Sequence, residues 1–173
     1  GQPRTLRKLL GTPLTIEVQD FEINRLEYMT SAATVLLLDQ SSSTLHYGRW
    51  AAAKKVAMAL QALIQGQFPR DRLYLIGFSD YAAEIPHRQL PSAQPNDMVQ
   101  GTNMHHALML ARKLLSKEPA GTRQIIMVTD GEPTAHLENG YSQFQYPPSQ
   151  RTIIDTLKEV QKCTRAGIVI NTF

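Results

Sequence analysis

The chain has 173 residues, of which 42% are hydrophobic, and this length and composition predict one domain with a buried core. Its 18 basic and 15 acidic residues leave a formal net charge of +3, without the basic cluster that would indicate nucleic-acid binding. No run of about 18 apolar residues predicts a membrane span, and the single cysteine, Cys163, excludes an internal disulfide and favours a reducing, cytoplasmic compartment.

The predicted elements alternate between apolar strands and amphipathic helices. Residues 12–28 alternate apolar and polar side chains, which predicts one or two half-exposed strands in an N-terminal extension covering residues 1–30. The main domain is expected over residues 31–173 and opens with a buried strand at Thr34–Leu38. The pattern then predicts a helix over 49–65, strands over 71–79 and 81–85, a helix over 101–117, a strand over 123–131, a helix over 150–167 and a strand over 168–173.

This order of elements predicts an α/β fold. We expect a Rossmann-like, three-layer α/β/α arrangement whose central sheet is mostly parallel and has one short antiparallel strand. Ligands of such sheets bind at the carboxyl ends of the strands, where two strands here end in Asp39 and Asp130. Two long segments, residues 87–101 and 132–150, are predicted to be irregular and to open onto the same edge.

The stretch "VLLLDQSSS", residues 35–43, places a carboxylate and several hydroxyls directly after a buried strand. In an extended turn, Asp39, Ser41 and Ser43 would direct their side chains to one face. Thr102 begins a helix at the same edge, and Asp130 ends a neighbouring strand. Oxygen donors without His or Cys suit a hard cation, so we predict a site for Mg²⁺ or Mn²⁺.

The motifs "DQSSS", "GTN" and "TDG", in this order, resemble the metal-ion-dependent adhesion site of von Willebrand factor A (vWA) domains. All five positions of that pattern match, namely Asp39, Ser41, Ser43, Thr102 and Asp130. The resemblance implies that the two serines coordinate the metal directly, and that Thr102 and the aspartates bind it directly or through water. It also implies that the domain lacks the family's C-terminal helix, strand and helix after residue 173.

The resemblance implies a binding module and not an enzyme, with a protein partner that supplies a Glu or Asp to the metal. The text "GTNMHHALMLARKLL" and "TRQIIMVTDGEPTAH" is similar to bacterial intracellular members such as the magnesium chelatase D subunit. That narrower similarity implies an AAA-type ATPase as the partner. The segment 132–150 also carries Tyr141, Phe144 and Tyr146, aromatic residues suited to a partner interface.

Several alternatives stay open. Asp39 followed by hydroxyls could belong to a Mg²⁺-dependent phosphotransferase of the haloacid-dehalogenase type, although Ser41 stands where that family has a second aspartate. The domain could also be purely structural with a vestigial site. Thr102, taken by itself, would be a helix N-cap. Adjacent helix positions point about 100° apart, so His105 and His106 cannot chelate one metal together.

Overall fold

The computed structural model describes residues 31–45, 48–95, 98–119, 121–129 and 131–173. The predicted N-terminal strands within residues 1–30 therefore lie outside the described residues. So does one of the five predicted metal ligands, Asp130.

The core of the fold is a five-stranded sheet formed by β1 (Ala32–Asp39), β2 (Arg72–Phe78), β3 (Ala82–Glu84), β4 (Thr122–Val128) and β7 (Ile168–Thr172). Its strand order is β3-β2-β1-β4-β7. Strands β2, β1, β4 and β7 run parallel to one another, and β3 pairs with β2 in the antiparallel direction. This confirms the predicted fold class, including its short antiparallel strand.

Strand β1 lies at the centre of this sheet because it is almost entirely apolar. Seven of its eight residues are buried, as expected for a parallel strand covered on both faces. Successive side chains alternate between the two faces. Leu37 therefore belongs to one hydrophobic core, and Leu36 and Leu38 belong to the other.

Helices cover both faces of the sheet and complete the three layers. The helices are α1 (Ser42–Leu45), α2 (Arg49–Gln67), α3 (Met104–Leu115) and α4 (Gln150–Arg165). Helix α3 packs its buried side, including Leu108 and Leu115, into the core that contains Leu37. Helix α2 contributes Trp50 and Ile64 to the opposite core.

The segment 132–150, predicted to be irregular, contains a β-hairpin. Strands β5 (Ala135–Glu138) and β6 (Tyr141–Phe144) pair antiparallel and form a separate two-stranded sheet. Asn139 and Gly140 connect them with φ angles of 50° and 84°, the left-handed backbone that a tight hairpin turn requires. The prediction of an irregular loop was wrong because its Asn-Gly turn signal was overlooked.

The segment 87–101 also differs from the predicted loop. It begins with a 3₁₀ helix over His87–Ser92, whose Leu90 is fully buried against α2. The His87 ring also contacts the carbonyl of Leu73, near the start of β2. This part of the segment therefore lies along the sheet face, and residues from Val99 onward reach the carboxyl edge.

One part of the sheet remains open on the α2 face. A groove of about 610 Å³ runs there between α2 and the strands β1 and β4. Its lining is mainly apolar and includes Leu36, Val56, Ile126, Val128 and Phe173. Among the described residues, no element covers this groove.

Candidate metal centre

Asp39 ends β1 and lies buried at the carboxyl edge of the sheet, with 3% of its surface exposed. One carboxylate oxygen, Oδ1, accepts a hydrogen bond of 2.9 Å from the backbone N–H of Ser41. The other, Oδ2, accepts one of 2.6 Å from the hydroxyl of Thr129, just beyond β4. These two bonds orient the carboxylate and compensate part of the cost of burying its charge.

Ser41 and Ser43 direct their hydroxyls toward each other, with their Oγ atoms 2.9 Å apart. The two serine hydroxyls therefore converge, but the predicted extended turn is absent, because the chain forms the short helix α1 from Ser42 onward. Thr44 stabilises this turn, since both its backbone N–H and its hydroxyl donate to the carbonyl of Ser41. Ser41 is buried, whereas Ser43 is exposed.

Thr102 is buried at the same edge and lies just before α3. Taken by itself, Thr102 would be a helix N-cap, but the residue that caps α3 is Asn103. The Asn103 side chain accepts a 2.9 Å hydrogen bond from the N–H of His106. Asn103 also donates to the carbonyl of Asp80 at 2.8 Å. Asn103 is therefore the cap, and helix capping does not explain why a threonine stands at position 102.

Asp130 lies outside the described residues, but both of its chain neighbours lie at the site. Thr129 donates to Asp39, as described above, and also accepts a 3.3 Å hydrogen bond from the N–H of Gly131. A Cβ built on Gly131 would lie 3.8 Å from Thr102 Oγ1. The chain on either side of Asp130 therefore contacts Asp39 and approaches Thr102. Sequence analysis missed Thr129, although it stands directly before the "DG" of the third motif.

A cavity of about 600 Å³ opens beside these hydroxyls and is called the rim cavity below. It is lined by Ser42, Ser43, Arg49, Gln100, Thr102, Gly131, Glu132, Thr134, Phe144 and Tyr146. Two of the three predicted interface aromatics, Phe144 and Tyr146, therefore lie next to two of the predicted metal ligands. Tyr141 does not line this cavity, although it is 70% exposed on the same hairpin.

The two histidines at the start of α3 have structural contacts on opposite sides. His105 Nδ1 accepts the N–H of Leu137 in β5 at 3.3 Å, and His106 Nδ1 accepts the N–H of Ala82 in β3 at 3.0 Å. Burial lowers the pKa of both rings, which favours the neutral form that these bonds require. These contacts are consistent with the prediction that His105 and His106 do not chelate one metal together.

The single cysteine is a packing residue in this structure. Cys163 is fully buried on α4, with its Sγ atom 4.0 Å from the carbonyl oxygen of Leu108 in α3. Burial raises the pKa of its thiol to about 11. A thiol with such a pKa has little thiolate at neutral pH, so nucleophilic chemistry is disfavoured.

The donors gathered at this edge are chemically suited to a hard divalent cation. A carboxylate and three hydroxyls offer oxygen atoms alone, which is the ligand type that Mg²⁺ and Mn²⁺ prefer. Among the described residues, neither this edge nor any other part of the chain groups three His, Cys, Asp or Glu side chains, so the described donors are one carboxylate and hydroxyls. The residues present therefore fit the predicted cation better than zinc or another soft metal.

Residues 32–173 match a protein-family model described as "Rv0959-like protein, vWA domain", and the chain belongs to this family. It is 38% identical over 165 residues to the proteins Rv0959 of Mycobacterium tuberculosis and Mb0984 of Mycobacterium bovis. The alignment covers 92% of this chain and 24% of each relative. The chain thus spans about a quarter of the length of these relatives. Domains of the vWA type are generally protein-interaction modules without catalytic activity.

Solved structures with the same fold include two pilus proteins. The pilus adhesin SpaC from Lactobacillus rhamnosus GG has a TM-score of 0.66 at 18% identity, over 84% of this chain and 25% of SpaC. The vWF domain of the pilus tip protein Mfa5 from Porphyromonas gingivalis has a TM-score of 0.61 at 15% identity, over 83% of this chain and 80% of that one. At these identities the comparison shows the fold alone. Within the described part of this chain, no helix has the length and apolar character to span a membrane.

Proposed function

We propose that this vWA domain is a metal-dependent protein-interaction module that binds one Mg²⁺ or Mn²⁺ and captures an acidic side chain of a partner. The proposed ligands are Asp39, Ser41, Ser43, Thr102 and Asp130. The observation that carries the proposal is the 2.9 Å approach of the Ser41 and Ser43 hydroxyls beside the oriented Asp39 carboxylate.

The balance of charge in this donor set supports capture of an acidic group. Two carboxylates and three neutral hydroxyls form an incomplete oxygen shell around a divalent ion. When bound, the cation would supply an electrophilic coordination position that a carboxylate from another molecule can fill. Asp39 and Ser41 are buried and held by hydrogen bonds, so they provide a preorganised part of the shell. Ser43 is exposed, so this side of the proposed shell is accessible to a partner.

The surroundings of the site favour binding over catalysis. Both nearby histidines use Nδ1 to accept backbone N–H groups, and the buried Cys163 thiol has a raised pKa. These groups are therefore poorly placed to act as a general base or a nucleophile. The phosphotransferase alternative gains no support, since Ser41 occupies the position of its second aspartate and binds Ser43.

We also propose that the partner is an AAA-type ATPase and that the two proteins meet in the cytoplasm. The basis for this partner is the sequence similarity to magnesium chelatase D subunits. A pull-down from the native cell, with and without EDTA, tests this extension. Specific capture of an ATPase with Mg²⁺ present, lost with EDTA and in Asp39→Ala, is the expected result. Capture of the same proteins regardless of metal would contradict metal-dependent recognition.

Calorimetric titration with Mn²⁺ tests the metal site directly. We expect one binding site, and we expect Ser43→Ala to weaken it at least tenfold, because the variant removes one proposed ligand from an exposed position. Ser42→Ala is the matched control, since Ser42 is adjacent in the sequence and is not a proposed ligand. Asp39→Ala should abolish binding.

Comparing the two serine variants separates the loss of a metal ligand from a general disturbance of the loop. Equal Mn²⁺ affinities of Ser43→Ala and the unsubstituted domain would contradict the assignment of Ser43. Equal losses in Ser42→Ala and Ser43→Ala would show that the loop is merely sensitive to change. Unchanged affinity in Asp39→Ala would reject the site as a whole.

A further inference from the structure

The β5–β6 hairpin and the proposed metal site are joined by a group of hydrogen bonds around Thr102. The backbone N–H of Thr102 donates to Thr134 Oγ1 at 2.9 Å, and its carbonyl accepts the N–H of Thr134 at 3.2 Å. The N–H of Gln145 in turn donates to the carbonyl of Thr134 at 2.9 Å. The aromatic end of β6 is therefore held in a defined position relative to the Thr102 hydroxyl.

Further contacts hold the other end of the hairpin against the body of the domain. The N–H of Ser142 donates to the hydroxyl of Tyr81 at 3.1 Å. The Tyr81 ring in turn packs edge-on against His106, with the ring centroids 6.2 Å apart. The hairpin is thus supported along its length, and Phe144 and Tyr146 present their exposed rings from a fixed backbone.

The rim cavity has room for a large side chain, and two aromatic rings form part of its lining. Its volume of about 600 Å³ lies within the range of small-ligand sites. Its polar lining, which includes Ser43 and Thr102, lies toward the proposed metal ligands, and its apolar surface is provided by the rings of Phe144 and Tyr146. Phe144 and Tyr146 are 46% and 76% exposed, and such aromatic surface gains free energy when an apolar group covers it.

We propose that the rim cavity binds a large apolar side chain, such as Phe or Leu, of the same partner whose Glu or Asp reaches the metal. This inference rests on the proposed function, because the metal-bound carboxylate would fix the partner chain at the edge of the cavity. Ser43 and Thr102 line the cavity together with Phe144 and Tyr146. The partner segment therefore carries an acidic residue with a bulky apolar residue a few positions away in the chain.

Two synthetic peptides with blocked ends test this proposal. Both contain one glutamate, and they differ only in having Phe or Ser two residues after it. Their affinities are measured by NMR titration of the isotope-labelled chain at saturating Mg²⁺. We expect the Phe peptide to bind about tenfold more tightly, a modest part of what burial of a Phe side chain can contribute.

Variants on one hairpin locate the effect. Phe144→Ala should remove the advantage of the Phe peptide while leaving the Mn²⁺ affinity unchanged. Tyr141→Ala is the matched control, because Tyr141 is an exposed aromatic on the same strand that does not line the rim cavity. It should retain the full difference between the peptides.

The two proposals fail in distinguishable ways. Equal affinities of the Phe and Ser peptides, with metal bound, would overturn the rim cavity as a recognition site and leave the metal site standing. An equal loss of the Phe advantage in Phe144→Ala and Tyr141→Ala would also overturn it. Absence of Mn²⁺ binding in the unsubstituted domain would instead overturn the proposed function.

Discussion

At the scale of single residues, the polar side chains near the site are mostly held by backbone groups. Asn103 caps α3, Thr102 is tied to Thr134, and each of the two histidines accepts an N–H from a different strand. His105 contacts β5 and His106 contacts β3. Both rings therefore act as structural hydrogen-bond acceptors.

These two histidines predict a pH dependence of stability. Burial lowers the pKa of His105 and His106 in the folded chain from the ordinary value of 6.5. The unfolded chain therefore binds more protons as the pH falls below about 6.5, and the free energy of unfolding should decrease. This contribution is full above pH 6.5 and is lost progressively between 6.5 and the lowered values.

Urea unfolding at pH 7.5 and 5.5 checks this dependence. Asn retains an oxygen acceptor but does not titrate, so the double variant His105→Asn, His106→Asn should lose less stability between the two pH values. The carboxylates of Asp155 and Glu159 act to raise the pKa of His105, against the larger effect of burial. Ordinary carboxyl groups themselves titrate below this pH window. An identical decrease in both proteins would show that other groups cause the pH dependence.

At the scale of elements, the β5–β6 hairpin shows how a short turn positions a functional surface. Its turn residues Asn139 and Gly140 both have positive φ angles, which match the right-handed twist of the two strands. The pairing Ala135↔Phe144 then places Phe144 close to the segment that contacts Thr102.

Two glycine substitutions should change stability in opposite directions. Gly140→Ala should lower the free energy of unfolding by about 1 kcal/mol, because φ is 84° there and an added Cβ favours negative values. Gly66→Ala in α2 should raise it by about 0.5 kcal/mol, because Ala is the better helix former. Neither added Cβ would have an atom within 4 Å. Thermal unfolding measures both, and equal signs would contradict the backbone explanation.

Helix α4 buries polar side chains where an amphipathic helix normally buries apolar ones. Thr152, Asp155, Thr156 and Glu159 are buried, whereas Ile153 and Leu157 are exposed. Glu159 is neutralised by Arg112 of α3 at 2.6 Å and by Lys162 at 2.9 Å. Burial alone would raise the pKa of Glu159, but these two partners outweigh it and lower the pKa.

Removing one partner of Glu159 should therefore be costly. Arg112→Met should destabilise the fold by about 2 kcal/mol, less than the 3–5 kcal/mol typical of fully buried pairs, because Lys162 remains. Lys162→Met is the control and should cost less, since the Lys162 side chain is 56% exposed. The double variant Arg112→Met, Glu159→Met should recover part of the loss in urea unfolding. No recovery would contradict the explanation by an unpaired buried charge.

At the scale of the whole molecule, two hydrophobic cores hold the sheet between its helices. Strand β1 contributes to both, so its side chains should dominate stability. Leu37→Ala should cost about 3 kcal/mol, because Leu37 is fully buried in the core beneath α3. Val169→Ala on the edge strand β7, where Val169 is 54% exposed, should cost less than about 0.5 kcal/mol. Comparable losses in denaturant unfolding would contradict this distribution of the core.

The sequence by itself determined the parallel sheet, its helices and the residues predicted to bind metal. Near-continuous apolar runs such as residues 35–38 are typical of strands buried on both faces, and this information is local. The family motif likewise required only residue types in order. These predictions succeeded for the fold because periodicity of 2 or 3.6 residues directly reflects burial.

Only the tertiary structure decided which polar groups meet. The Thr129 hydroxyl reaches Asp39 across 90 positions of sequence, and Thr102 meets Thr134 across 32, because β1 and β4 are neighbours in the sheet and the hairpin folds over α3. The division between Phe144, which lines the rim cavity, and Tyr141, which does not, follows from the hairpin register. Such contacts depend on the packing of distant segments, and no local pattern of residues encodes them.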